Sequence, residues 1–276
     1  MTSQVHGHSG VDDPVTARRQ RSAVALIGGP TTVIDIAGVR LVSDPTFDPP
    51  GDFGYLRKTD GPAVAADALG EVDAVLLSHD QHSDNFDHAG RAFALSTPVI
   101  LTPPSAAARL GQPARPLALH ESWTSPNGRL TVTALPAQHG PADGERDDDG
   151  FINSEVIGFL LESAEAEVPR LYVSGDNASI ELVHQIRERY GPIDHAVLHV
   201  GAASVPAKFG GRPLSLTPER ASAAAEVLGA HHVIAVHQDG WTHFTQGAEA
   251  TRQAFDQAGI GTRLHAIRPG RWCHLR

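Results

Sequence analysis

Leu77-Ser78-His79-Asp80-Gln81-His82-Ser83-Asp84-Asn85-Phe86-Asp87 is the stretch on which the reading of this chain turns. From His79 to Asp84, two histidines and two carboxylates crowd into one short turn. The turn follows residues 72–77, an apolar run that reads as a buried strand. Imidazole nitrogens and carboxylate oxygens at such spacing are what a zinc-type ion needs. Three more strand-like runs end in a potential ligand: 130–135 before His139, 171–173 before Asp176, and 233–236 before His237. Packing gives four strands no reason to carry such side chains at their C-terminal ends. The pattern predicts a metal centre, and with it a metal-dependent hydrolase.

The chain has 276 residues, 41% of them hydrophobic, which is ample for one large core or two intimately packed halves. A formal net charge of −10 excludes a general nucleic-acid footprint, though a local basic pocket remains open. Cys273 is the sole cysteine, so neither an internal disulfide nor a thiolate cluster can form, and a reducing, cytoplasmic setting is expected. No apolar run approaches the roughly 20 residues of a membrane span. Residues 1–21 lack an apolar signal core and read as a polar tail or lead-in, with a hydrolase domain over 22–276. His6 and His8 in that tail read as solvated.

Residues 23–27, 32–36 and 39–42 are β-rich and parted by glycine turns. Prolines and glycines over 47–55 predict an irregular loop. A weak helix around 63–69, the strand 72–77, a helix over 85–94, the apolar run 99–101 and a helix Pro104–Leu110 follow. A second meander is expected through 117–120, 130–135 and 155–162, with an acidic, solvated loop over 141–150. The chain then alternates strand Leu171–Val173, helix Ile180–Tyr190, strand 196–199, helix Pro218–Leu228, strand 233–236 and helix Ala248–Gln257. Strands followed by βα units, twice over, predict an α/β (α+β) chain. Its two mixed sheets face each other with helices outside, a four-layer αββα sandwich.

Five landmarks stand in order: residues 32–45 ending in Asp44-Pro45, Ser78 to Asp87, Pro136-Ala137-Gln138-His139-Gly140, Ser174-Gly175-Asp176, and His237 followed by Trp241-Thr242-His243-Phe244. On these the chain resembles the metallo-β-lactamase-fold hydrolases. More narrowly, it looks like the branch of ascorbate-lactone-type hydrolases and phospholipase-D-like phosphodiesterases acting on N-acyl phosphatidylethanolamine lipids. The resemblance covers nearly the whole chain from Ala23 onward. The family's His-x-His-x-Asp-His signature is altered twice: one extra residue separates His79 from His82, and Asn85 stands where the last histidine belongs. The resemblance implies that His79, His82 and His139 hold one ion. It implies that Asp84, Asp176 and His237 hold a second, with Asp176 between the two. The implied cofactor is zinc, one or two ions. Manganese or iron are alternatives, because the Asn85 amide oxygen is a harder, weaker ligand than imidazole. Asn85 either ligates or hydrogen-bonds a metal-bound water.

The residues' own chemistry agrees with part of this. Histidines at i and i+3 converge if the turn is tightly wound, and three neutral imidazoles leave a position open for water. The pKa of such water falls from about 16 to roughly 7 on one zinc. Metal-bound hydroxide would attack a carbonyl or phosphoryl centre, with Asp84 orienting it. His243 would stabilise an oxyanion or protonate the leaving group, or else serve the structure. Ester, lactone and phosphodiester cleavage all fit.

Among the other polar residues, Asp80 reads as an acceptor behind the ligands and Asp87 as a helix-start charge. Asp44 reads as an acceptor for an imidazole or a turn initiator. His199 ends a strand and can line the site, but stands outside the ligand set. His120, His184, His195, His231, His232, His265 and His274 read as surface or structural. Arg57, Lys58, Lys208 and Arg212 fall on the loops expected to wall the pocket, which suggests a small anionic substrate. Two other classes stay open: an iron-based redox protein on this scaffold, and a metal-stabilised binding protein without turnover. No nucleic-acid or membrane partner is expected, and the oligomeric state is not legible.

Overall fold

The computed structural model describes residues 13–144 and 153–275. Its opening meander is β1 (Ser22–Gly28), β2 (Thr31–Ile36) and β3 (Val39–Ser43), each antiparallel to the next. Alternate side chains go to opposite faces, and here both faces are apolar. Val24, Leu26, Ile34, Ile36 and Leu41 turn inward, while Ala23, Ala25, Ile27, Val33 and Val42 join a second cluster outside. A sheet covered on both sides needs apolar side chains on both faces, and these strands supply them.

Residues expected to form an irregular loop instead make a small hairpin, β4 (Gly51–Phe53) and β5 (Leu56–Lys58), turning at Gly54 with φ +68°. Strands of three residues are too short to show a period, and tertiary contacts hold them. Next come β6 (Ala74–Leu76), α1 (His88–Leu95), β7 (Ile100–Thr102), α2 (Pro104–Leu110) and β8 (Ala114–Pro116). Asp87 caps α1 by accepting from the Gly90 N–H at 2.8 Å, the helix-start role its charge predicted. The expected strand over 117–120 is absent. The chain crosses there from one sheet to the other, and His120, at φ +71°, breaks the extended run.

The second half holds β9 (Ser122–Thr124), β10 (Leu130–Pro136), β11 (Ile157–Ser163), β12 (Leu171–Val173), α3 (Ile180–Tyr190) and β13 (His195–His199). Then follow α4 (Pro218–Leu228), β14 (His232–Val236), α5 (Ala248–Gln257), β15 (Leu264–His265) and β16 (Trp272–His274). Ser179 and Thr217 cap α3 and α4 through their hydroxyls, and Pro218 starts α4 where a missing N–H costs nothing. One sheet runs β16-β1-β2-β3-β6-β7-β8 and the other β15-β14-β13-β12-β11-β10-β9. The last strand thus returns to close the first sheet against β1.

A central core of Leu41, Leu76, Val132, Phe159, Val173 and Val236 fills the space between the sheets. Val183, Ile186, Ala221, Ala224 and Phe255 cover the outer face of the second sheet, and Phe93, Ala94 and Ala107 cover that of the first. This is the expected αββα sandwich. The lead-in from Asp13 is held to the body: Val15 donates its N–H to Gly270, and the buried Arg40 guanidinium donates to the Thr16 and Arg18 carbonyls. His6, His8 and most of the acidic 141–150 loop lie outside the described residues. Among the described residues no helix is long and apolar enough to cross a membrane.

Strand direction places the chemistry. β12, β13 and β14 are parallel, and β10, antiparallel to β11, points the same way as β12. Their carboxyl ends share one edge, where open α/β sheets present ligand-binding residues.

Candidate metal centre

Past Leu77 the chain is steered by the buried Asp44, whose Oδ1 accepts from the Ser78 N–H at 2.7 Å. The His82 carbonyl accepts from the N–H groups of Asn85 (3.1 Å) and Phe86 (2.9 Å), so the turn is wound tightly. That winding makes the two histidines converge: His79 Nε2 stands 2.9 Å from His82 Nδ1. His139, three residues past β10, brings its Nε2 to 3.0 Å from the same nitrogen. The His139 Nδ1–H donates to the Leu214 carbonyl at 2.9 Å, which fixes the tautomer and leaves Nε2 with its lone pair inward. Gly140 permits this approach, because a Cβ there would lie 2.3 Å from Leu214 Cα. Burial lowers the pKa of all three rings, His79 to about 3, and keeps them neutral.

A second group lies beside the first. Asp176 follows β12, His199 ends β13 and His237 follows β14. One ligand atom of each lies within 4.8 Å of the others. Asp176 Oδ1 stands 2.9 Å from His199 Nδ1 and 3.4 Å from His237 Nε2, while its Oδ2 is 3.4 Å from His139 Nε2. One carboxylate therefore faces both groups. Asp84 Oδ2 accepts from His243 Nε2–H at 2.9 Å and lies 3.3 Å from His237 Nε2.

Burial opposes charge on both acids. Histidines overcome it, chiefly His243 and His237 at Asp84 and His237 and His199 at Asp176, and hold both carboxyls well below the usual range. His237 is pushed up, since Asp176 and Asp84 outweigh its burial, whereas burial lowers His199.

His237 sits at φ +60°, a conformation most L-residues avoid, with its N–H donated to the Gly29 carbonyl at 2.8 Å. Gly201 makes room for it: a Cβ there would lie 2.0 Å from the His237 carbonyl oxygen.

The sequence expectations fare unevenly here. His79, His82, His139, Asp84, Asp176, His237 and His243 all come together. His199, left outside the expected ligand set, is fully buried within the second group. It carried no motif, and its only signal was its place as the last residue of a strand. Asn85 turns its amide nitrogen, not its oxygen, toward Asp176 and Asp44, both at 3.4 Å. Asp80 does not back the ligands but pairs with Arg109 at 2.9 Å. Burial, assisted by Asp176, raises Asp44 to about 7.

Of the four expected wall cations, Arg57 pairs with Asp52 at 2.9 Å and Arg212 with Asp143. Lys58 is buried against Asp87 at 2.8 Å, so it charges the protein interior rather than the pocket. Lys208 stays at the opening. Phe244 packs on His237 and His243, with ring centroids 4.0 and 4.5 Å apart.

The donor set fits a metal. Seven imidazole and carboxylate side chains converge from five segments. Asp84 Oδ1, Asp176 Oδ2 and His199 Nε2 are buried without a hydrogen-bond partner, an arrangement that costs about 1–3 kcal/mol per group unless something is bound.

The model of the β-lactamase superfamily domain matches residues 39–238 of this chain. A UPF0173 metal-dependent hydrolase of Methanosphaerula palustris is 30% identical over 189 residues, covering 68% of this chain and 78% of the relative. Among solved structures, the isothiocyanate hydrolase from Delia radicum gut bacteria superposes with a TM-score of 0.79 at 20% identity, covering 92% of this chain and 99% of that one. A possible metal-dependent hydrolase from Veillonella parvula gives 0.80 at 18% identity, covering 93% and 100%. These two likenesses speak for the fold, and the sequence matches speak for the family. The chain belongs to the β-lactamase superfamily and, within it, to the metal-dependent hydrolases.

Proposed function

We propose that this protein is a binuclear hydrolase of a small ester, lactone or phosphodiester, the latter two being chemistries of the ascorbate-lactone-type and phospholipase-D-like branch. His79, His82 and His139 would hold one ion. Asp84, Asp176, His199 and His237 would hold the other, with His199 supplying the imidazole that position 85 lacks. The single observation that carries this reading is Asp176, whose two oxygens face the two groups at 3.4 and 2.9 Å. A set this rich in imidazole favours zinc, with manganese or iron as alternatives for the second position. A divalent ion bound there supplies Lewis acidity and lowers the pKa of water toward neutrality.

The chain's own residues would do the rest. Asp84 orients His243 by accepting its Nε2–H, which leaves Nδ1, buried without a protein partner, to take a proton or return one to the leaving group. Asn85 donates to Asp176 and Asp44 and so holds the shared carboxylate in place. Trp241 and Phe244 wall off water from the His237 side. A cytoplasmic setting belongs to the same reading, supported by the lone cysteine.

Metal analysis of the purified protein tests it. About two equivalents per chain are expected, with roughly one lost in His139→Ala and one in His199→Ala. Full metal content in both variants would reject the ligand assignment. Rates on bis(p-nitrophenyl) phosphate against a simple lactone then separate the two chemistries.

A further inference from the structure

Beside the two ligand groups a shallow, open pocket lies at the surface, lined by Tyr55, His82, Asp84, His139, Lys208 and His243 among others. Histidines aside, Lys208 is the one cationic side chain among the described lining residues. Among the described residues no carboxylate pairs with it. Its Nζ donates to Asn153 Oδ1 at 2.9 Å and to Tyr55 Oη at 3.4 Å, and sits 5.2 Å from the centre of the Tyr55 ring. An ammonium has three donors, and these contacts use two.

The mounting of this cation is specific. Asn153 accepts from Lys208 with its oxygen, and its Nδ2 lies 3.2 Å from His139 Nε2, so one side-chain amide sets the ammonium beside the first histidine group. Asn153 adopts φ +52°, which asparagine tolerates better than most residues. Tyr55 is 61% exposed at the turn of the β4–β5 hairpin, with its hydroxyl beside the ammonium. In a protein of net charge −10, the other wall cations are each matched to an acid, and among the described residues this one meets the neutral dipoles of Asn153 and Tyr55.

We propose that the substrate of this site carries an anionic group, carboxylate or phosphate, remote from the bond that is cut, and that Lys208 Nζ with Tyr55 Oη receives it. The inference rests on the hydrolase reading above and narrows its substrate class. A charge-assisted hydrogen bond here fixes which end of the substrate lies outermost and which bond reaches the histidines.

Two esters of equal length test it on the metal-loaded full chain: p-nitrophenyl hemiglutarate, which ends in a carboxylate, and p-nitrophenyl valerate, which ends in a methyl. The native enzyme should prefer the hemiglutarate. In Lys208→Met the ratio of the two kcat/KM values should fall about tenfold, carried by KM, and Lys208→Arg should restore most of it. Calorimetric binding of glutarate and of inorganic phosphate, which needs no turnover, should weaken by a similar factor in Lys208→Met. Whichever anion loses more identifies the group. If the esters are cut and their ratio is unchanged in Lys208→Met, the inference fails while the hydrolase reading stands. If neither ester is cut but anion binding depends on Lys208, the anion site stands and simple ester cleavage gives way to the lactone or phosphodiester chemistry.

Discussion

Lys58→Met is a sharp test of how the structure redistributes charge, because the sequence placed Lys58 on a pocket wall and the fold buries it. Its Nζ donates to Asp87 Oδ2 at 2.8 Å and to the Thr46 carbonyl at 3.1 Å, and the side chain is 3% exposed. Breaking a buried pair by removing one partner costs about 3–5 kcal/mol. Asp87 is well compensated without the lysine, since it also accepts from the N–H groups of Phe47, Asp48 and Gly90. Lys58→Met should therefore fall near the lower end, about 3 kcal/mol.

Asp87→Asn keeps a capping oxygen but strands the ammonium with one carbonyl and the Trp241 face, 5.7 Å away. It should cost nearer 5 kcal/mol. The double variant should then lose about 2 kcal/mol less than the sum, because neither charge is left alone. Urea unfolding of the three variants measures all of this. A loss under about 1 kcal/mol for Lys58→Met, with a raised KM instead, would refute the reasoning and return the lysine to the pocket.

Two further outcomes follow from the site. Gly201→Ala puts a methyl 2.0 Å from the His237 carbonyl and must displace the end of β14. Metal analysis should show the second ion lost and the first kept, and two full equivalents would contradict the account of His237. The metal-free protein should lose stability as pH falls from 6.5 toward 4. His79, His82, His139 and His199 have folded-state pKa values below the unfolded 6.5, so the unfolded state binds more protons in that window. Asp44, raised to about 7, works the other way, as do the raised His237 and Asp239, but Asp84 and Asp176, held well below the usual range, join the four histidines toward pH 4. Each displaced unit of pKa is worth about 1.4 kcal/mol per group, so a urea midpoint that stays flat or rises on acidification would overturn the argument.

The sequence by itself determined the layered fold and most of the site. Meanders with an apolar face and helices able to cover the other, in the order strands, βα units, strands, βα units, leave few ways to bury themselves except as two facing sheets with helices outside. His79, His82 and Asp84 were legible because the turn that joins them is local, whereas His139, Asp176 and His237, each following a strand, drew their expected roles from the family resemblance. Tertiary structure decided what lies between segments distant in the chain. His199 joins the second group because parallel pairing of β12, β13 and β14 sets three strand ends side by side, a register that no local pattern encodes. The same holds for the β4–β5 hairpin and for the four wall cations. Whether Lys58 faces water or Asp87, and whether Lys208 keeps a free donor at the opening, depends on partners 29 and 55 residues away along the chain. Charge is a property of the residue, but its pairing belongs to the fold.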